Sequence, residues 1–342
     1  MLTKSYRTEE GRDVDLSHLR ASSGTDFAVA HQSLVTARYE VIIEYQRAKL
    51  LFRRSSSPGQ GLYLPIGGEM ERGVEIEESL RERVRDACNL TLENITELGT
   101  ARTVWKDDPF GHGKGTDALI WVYSAEGQGE LPIDARDQFQ LIDLDEYGST
   151  RPTLIPYTRD CLDAVIYERK NDLMGAYIEP GMELQRAHAD PLPREEYEQA
   201  HRNGVIACHD VFILYQGGIL LLNRNNFPAK DILWPVGGRI ERGLRMEESL
   251  RRKAKAECNL ELEGIEKMGT ARKYWATDPF GHGHGTDDIT QFHFARGRGE
   301  LQLDRLHKDP ILVTPLTYTQ EFQAQLHPCV RDFLKEVMRK LI

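Results

Sequence analysis

The sequence predicts two successive α/β domains, each a mixed β-sheet flanked by helices. Three observations carry this. First, residues 40–131 and 210–301 are one stretch written twice, 170 residues apart and without insertion: ERGVEIEESLRERVRDACNL answers ERGLRMEESLRRKAKAECNL, and WKDDPFGHGKGTD answers WATDPFGHGHGTD. Second, the repeat runs further, since His31 answers His201 and LIPYTRDCL (154–162) answers LHPCVRDFL (326–334). Two units of about 170 residues are two globular domains, not a solenoid, and each is long enough to enclose a core. Third, each unit reads strands, helix, strands, helix, the order of a sheet covered by helices. The expected boundaries are 1–172 and 173–342, with Pro180, Pro191 and Pro193 marking a joint within 171–200.

The second unit justifies each element in turn. DVFILYQGGILLLNR (210–224) places two apolar runs around Gln216-Gly217-Gly218, a hairpin signal. The loop NNFPAKDIL leads to Trp-Pro-Val-Gly-Gly. RMEESLRRKAKAEC (245–258) carries small or apolar residues at Met246, Leu250 and Ala254 among good helix formers, the pattern of an amphipathic helix, and Asn259 suits its end. Strands are expected near 266–275 and 288–296, and a last helix over about 328–341. The first unit reads the same way.

Composition excludes several classes. With 44 basic and 54 acidic residues the formal charge is −10, which argues against broad nucleic-acid or membrane-surface binding. The longest apolar runs are of strand length, and MLTKSYRTEEGRD is not a hydrophobic signal segment. Of the five cysteines, Cys88 and Cys258 are repeat mates and read as core; the others lack metal-type spacing. A reduced, cytoplasmic protein is the simple expectation.

Gly237-Gly238, a short loop, and a charged helix carrying Arg252 and Glu257 together resemble a Nudix box. Counted from Gly238, Leu244 stands where the box has its first Glu, Arg252 holds, and Lys253, Ala256 and Asn259 replace Glu, Glu and Gly. Glu257 alone remains of the box carboxylates. Positions 253 and 257 share a helix face, so Lys253 brings positive charge beside it. Diphosphate cleavage in the ordinary Nudix manner is hard to run with such a helix. The second unit is similar to the GDP-mannose mannosyl hydrolase branch of that superfamily, which has a similarly stripped box and breaks the sugar C–O bond.

The resemblance implies two α/β/α sandwich domains pairing as an intra-chain pseudo-dimer, with a further homo-oligomer left open. It assigns Asp210 to the sugar side, Arg224 to catalysis, Arg239 and Arg252 to the phosphates, and Glu257 with a Gly237 carbonyl to Mg²⁺ (or Mn²⁺). His307 in DRLHKDP is the implied general base. Two positions depart from the pattern: Leu306 stands where a Gln ligand belongs, and Phe292 where a Tyr does. The implied substrate is a nucleoside diphosphate sugar. Its leaving group would be neutralised by Mg²⁺ and planar guanidinium groups, while a neutral imidazole accepts a proton from the attacking water.

The first unit reads as degenerate. The mates of Asp210, Arg224, Arg239, Arg252, Glu257 and His307 are Glu40, Arg54, Glu69, Glu82, Ala87 and Asp137. Two phosphate-facing arginines have become glutamates, so this pocket is expected to repel a diphosphate, although Asp86 could still hold a cation. The block DPFGHGxGTD occurs in both units, so Asp108/Asp278 and His112/His282 suit a structural loop as well as a ligand loop; His284 is a weaker extra candidate. Two functions stay open: hydrolysis of the nucleotide sugar, and a non-catalytic nucleotide or nucleotide-sugar sensor of the same fold.

Overall fold

A computed structural model describes residues 2–9, 12–20, 27–132, 137–168, 176–189 and 192–341. The chain divides into two compact units, one formed by 26–192 and the other by 1–25 with 193–342. The expected boundary at 172/173 is therefore moved in two ways. The joint falls at 192/193, and the first 25 residues belong to the C-terminal unit. Of the three joint prolines, Pro180 sits in a turn and Pro193 precedes the helix Arg194–Asn203, while Pro191 lies outside the described residues.

In the C-terminal unit the strand Ile206–Tyr215 runs parallel to Thr286–Arg298 and antiparallel to Val236–Arg239 and Gly218–Arg224. Glu261–Trp275 pairs antiparallel with Thr286–Arg298, and His307–Val313 with Gly218–Arg224. The sheet is mixed, as expected. Period-2 alternation sorts its side chains. Val211, Ile213 and Tyr215 pack with Leu250, Ala254 and Cys258 of the helix Met246–Cys258. Phe212, Ile219 and Leu221 pack with Val330, Phe333, Leu334 and Val337 of the helix Pro328–Leu341. One sheet with an apolar helix on each face is an α/β/α layer arrangement.

Local signals act where expected. The hairpin closes through Gln216 and Gly217 at φ 46° and 84°, a two-residue turn with both central residues left-handed. Asn259 ends the box helix at φ 58°, and Asn89 does the same for Ile76–Cys88 at φ 57°.

The 26–192 unit repeats this plan. Thr36–Tyr45 is parallel to Thr116–Gly129 and antiparallel to Ala48–Arg53 and Ile66–Glu69. Tyr157, Cys161 and Leu162 of Pro156–Ile166 cover Ile42 and Leu51. The leading segment of each repeat is housed with the other repeat's body. Leu2–Tyr6 adds a parallel strand beside Glu261–Trp275, and Ala176–Ile178 adds one beside Leu90–Trp105. Glu9 and Glu179, one repeat apart, cap equivalent turns: a Glu9 carboxylate oxygen accepts from the Ala276 N–H (2.6 Å), and a Glu179 oxygen from the Lys106 N–H (2.7 Å). All five cysteines are free thiols, with Cys88 and Cys258 buried in the cores. Among the described residues no helix is long and apolar enough to cross a membrane.

Candidate functional site

The site of the C-terminal unit grows from the middle of Ile206–Tyr215. Asp210 is 3 % exposed there, and its Oδ2 accepts from Trp234 Nε1 (2.9 Å) and lies 3.7 Å from Lys273 Nζ. Burial raises the Asp210 pKa, and Lys273 and the Trp234 hydrogen bond oppose that rise. Neighbouring backbone crowds in. A Cβ at Gly237 would stand 2.1 Å from Asp210 Oδ1 and 2.3 Å from the His209 carbonyl oxygen, so only glycine fits.

Asp210, Arg224, Gly238 and Arg239 line a cavity of about 180 Å³. The Arg239 guanidinium lies 3.7 Å from the Tyr197 ring centroid, a cation–π contact that keeps the group flat against the wall. Lys273 and Asp288, which the sequence reading missed, share the cavity. Lys273 Nζ is 3.0 Å from Asp288 Oδ1 and 2.6 Å from Thr290 Oγ1, and Trp275 Nε1 donates to Asp288 Oδ2 (3.0 Å). Burial pulls the Lys273 pKa down, but Asp288 and Asp210 outweigh it and hold the ammonium charged. A usable signal was present in the repeat: the mates of Lys273, Asp288 and Thr290 are Thr103, Ala118 and Ile120, so this network belongs to one copy only.

A second group adjoins the first through Arg224. His307 is the register partner of Arg224 across the strand pair, and its Nδ1 lies 2.7 Å from Asp304 Oδ1. That carboxylate fixes the proton on Nδ1 and leaves Nε2 as the basic nitrogen, 3.8 Å from Glu257 Oε2. Burial lowers the His307 pKa, which keeps the ring neutral near pH 7. Glu257 accepts from the Gly237 N–H (3.1 Å) and lies 4.0 Å from Lys253 Nζ. Burial, only partly offset by Lys253, pushes its pKa up to about 7. Burial thus works against charge on both partners of the His307–Glu257 approach. Asp304 is the residue that orients His307.

Two expectations change here. Arg252 points away from this group: its side chain is 54 % exposed and pairs with Glu241 at 2.9 Å, and it is not among the residues lining the cavity. The reason is helical phase, since Leu250 and Ala254 face the core and turn position 252 outward. His307 and Glu257 are likewise not among the lining residues, and His307 lies beside Arg224 on the neighbouring strand. For Mg²⁺ the donor set is thin. Among the described residues no three His, Cys, Asp or Glu side chains gather as a metal site. Glu257 is a hard oxygen ligand suited to Mg²⁺, but Lys253 already serves it and the Gly237 N–H donates to it. The residues fit only a cation whose shell is completed by substrate phosphate oxygens and water.

The repeated DPFGHGxGTD block is a loop scaffold. Asp278 accepts backbone N–H bonds from Phe280, His282 and Gly283, and Asp108 does so from Phe110, His112 and Gly113. His282 Nε2 meets His201 Nδ1 at 3.0 Å, and His112 Nε2 meets His31 Nδ1 at 2.8 Å. The His284 N–H donates to His282 Nδ1. Identical bonding in both units assigns these residues to loop shape.

The mates in the 26–192 unit form a different site. Glu40 is 1 % exposed and accepts from Arg54 Nη2 (3.0 Å) and Tyr157 Oη (2.6 Å). Glu69 pairs with Arg38 at 3.2 Å. The pocket expected to repel a diphosphate has positive charge in its wall after all, because Arg38, Arg53 and Arg83 join Arg54 around a cavity of about 710 Å³. Their mates are Cys208, Asn223 and Lys253, so the lost arginines are offset from neighbouring positions.

No family model matches the chain. The Low-salt glycan biosynthesis protein Agl8 of Haloferax volcanii is 25% identical over 158 residues, covering 44% of this chain and 96% of that protein. Among solved structures, a MutT NUDIX hydrolase from Burkholderia pseudomallei is 18% identical with TM-score 0.33, covering 40% of this chain and 99% of its own. The NUDIX domain of Shewanella oneidensis NrtR complexed with ADP ribose is 16% identical with TM-score 0.28, covering 41% and 89%.

Proposed function

We propose that the C-terminal unit is a Nudix-type hydrolase that breaks the sugar C–O bond of a nucleoside diphosphate sugar of the GDP-mannose kind, releasing nucleoside diphosphate and sugar. The observation that carries this reading is the position of Arg224. It lines the cavity with Asp210 and Arg239, and it is also the register partner of His307. Arg224 and Arg239 would hold the diphosphate, and Arg224 stands where it can stabilise the departing phosphate oxygen. Asp210 would accept from sugar hydroxyls. Water oxygen bonds to the anomeric carbon, its proton passes to His307 Nε2, and the electron pair of the breaking C–O bond leaves on the diphosphate. Asp304 steadies the imidazolium so formed. Mg²⁺ or Mn²⁺, held by Glu257 and the substrate's own oxygens, would add charge neutralisation to the diphosphate. The similarity to a low-salt glycan biosynthesis protein of Haloferax volcanii supports a sugar-bearing substrate.

The second reading is a sensor that binds a nucleotide or nucleotide sugar and does no chemistry. The ammonium of Lys253, 4.0 Å from the one candidate cation ligand, favours it. Incubation with Mg²⁺ and a panel of GDP-, UDP- and ADP-sugars, followed by phosphorus NMR, separates the two. Nucleoside diphosphate with free sugar supports C–O cleavage. Sugar phosphate with nucleoside monophosphate would instead place cleavage at P–O, and binding without turnover would select the sensor.

A further inference from the structure

The 26–192 unit has the larger cavity of the two, about 710 Å³ against about 180 Å³, a volume in the range that encloses a nucleotide-sized ligand. Four guanidinium groups stand in its wall from three elements: Arg38 from Thr36–Tyr45, Arg53 and Arg54 from the end of Ala48–Arg53 and the residue after it, and Arg83 from Ile76–Cys88. Arg38 and Arg83 are close enough to Arg54 to act on it, for after burial is counted both work against its charge while Glu40 supports it. Gathering like charges at a half-buried cavity costs stability unless something anionic answers them. Glu40 and Glu69 answer Arg54 and Arg38 with one carboxylate each. Arg53 and Arg83 are exposed, Arg83 Nε donates to the Gly67 carbonyl (3.2 Å), and the exposed carboxylates of Glu71 and Asp86 line the same cavity. Tyr39 and Phe52 supply aromatic wall in the same cavity, and Phe52 is held edge-on by Phe139 at 5.0 Å. Guanidinium forks beside an aromatic surface suit a phosphate joined to a planar base. The groups that would turn such a ligand over are missing, because Ala87 stands for Glu257 and Asp137 for His307.

We infer that the 26–192 unit binds a nucleoside mono- or diphosphate in this cavity and releases it unchanged, as a second ligand site independent of the one in the C-terminal unit. The test is calorimetric titration of the full chain with GDP and with ADP in EDTA, comparing wild type with Arg53→Ala/Arg83→Ala and with Arg239→Ala. Both Arg53 and Arg83 are exposed, so the double variant keeps its fold, and unchanged circular dichroism and melting without ligand verify that. The expected result is a binding event that weakens at least tenfold in Arg53→Ala/Arg83→Ala and is untouched by Arg239→Ala, with the nucleotide recovered intact. Binding that responds only to Arg239→Ala would overturn the inference while leaving the proposed hydrolase standing. Binding that responds only to the double variant supports the inference and leaves the hydrolase reading standing, because EDTA withholds the cation that the C-terminal site would use. No binding of either nucleotide overturns the inference.

Discussion

His307 and Glu257 show how burial sets the chemistry of single residues. An imidazole whose Nδ1–H is held by Asp304 and whose pKa is lowered by burial presents a neutral Nε2 at pH 7. His307→Ala is expected to lower turnover by about 10²–10⁴-fold while nucleotide affinity changes little, measured by steady-state kinetics and calorimetry. Unchanged turnover would remove it as the base. Glu257 has the opposite shift, up to about 7. A carboxyl harder to ionise folded than unfolded makes folding lose stability as pH rises from the unfolded value to the folded one, here from about 4.5 to about 7, and no further above that. Glu257→Gln removes this loss. Relative to wild type the variant is expected to gain on the order of 1–3 kcal/mol between pH 4.5 and pH 7.5 in urea titrations. A pH-independent difference would show that Glu257 ionises freely.

At the scale of elements, the two halves share a buried device on their longest strand pair. Arg272 donates to both carboxylate oxygens of Asp287 (3.0 and 2.9 Å), and Arg102 does the same to Asp117 (2.8 and 2.7 Å). Both pairs are buried, and removing one partner leaves an uncompensated charge in the interior. Asp287→Asn is expected to cost about 3–5 kcal/mol in denaturant unfolding. A loss under about 1 kcal/mol would mean that the pair is solvated in solution. The box helix carries a smaller lesson. Asn259 holds a left-handed φ of 58° and donates from Nδ2 to the Glu300 carbonyl (3.0 Å). Asparagine stands here where many helices end in glycine, yet the helix still ends, because asparagine tolerates that conformation and adds a bond.

For the whole molecule, the leading residues decide which body is complete. Tyr6 packs with Met268 and Trp275 and donates to Asp332 (3.0 Å), and Leu19 is buried against Tyr274. Without these residues Glu261–Trp275 becomes an exposed edge strand. Deletion of residues 2–20 is therefore expected to lower the melting temperature by several degrees and to raise amide exchange along 261–275. Unaltered exchange there would show that the added strand is dispensable.

What the sequence determined by itself was local or periodic. The 170-residue repeat, the hairpin at Gln216-Gly217, the helix ending at Asn259 and the mixed order of strands and helices all follow from turn chemistry and from spacing that neighbouring residues read directly. The family resemblance also drew attention to Asp210, Arg224 and Arg239. Only the tertiary structure decided that Arg252 faces solvent, that Lys273 and Asp288 share the cavity of Asp210, that Asp304 holds His307, and that the first 25 residues complete the distant unit. The physical reason is the same in each case. Helix phase, strand pairing and long-range burial fix which side chains meet across tens or hundreds of residues, and charge and pKa follow from that company, not from position along the chain.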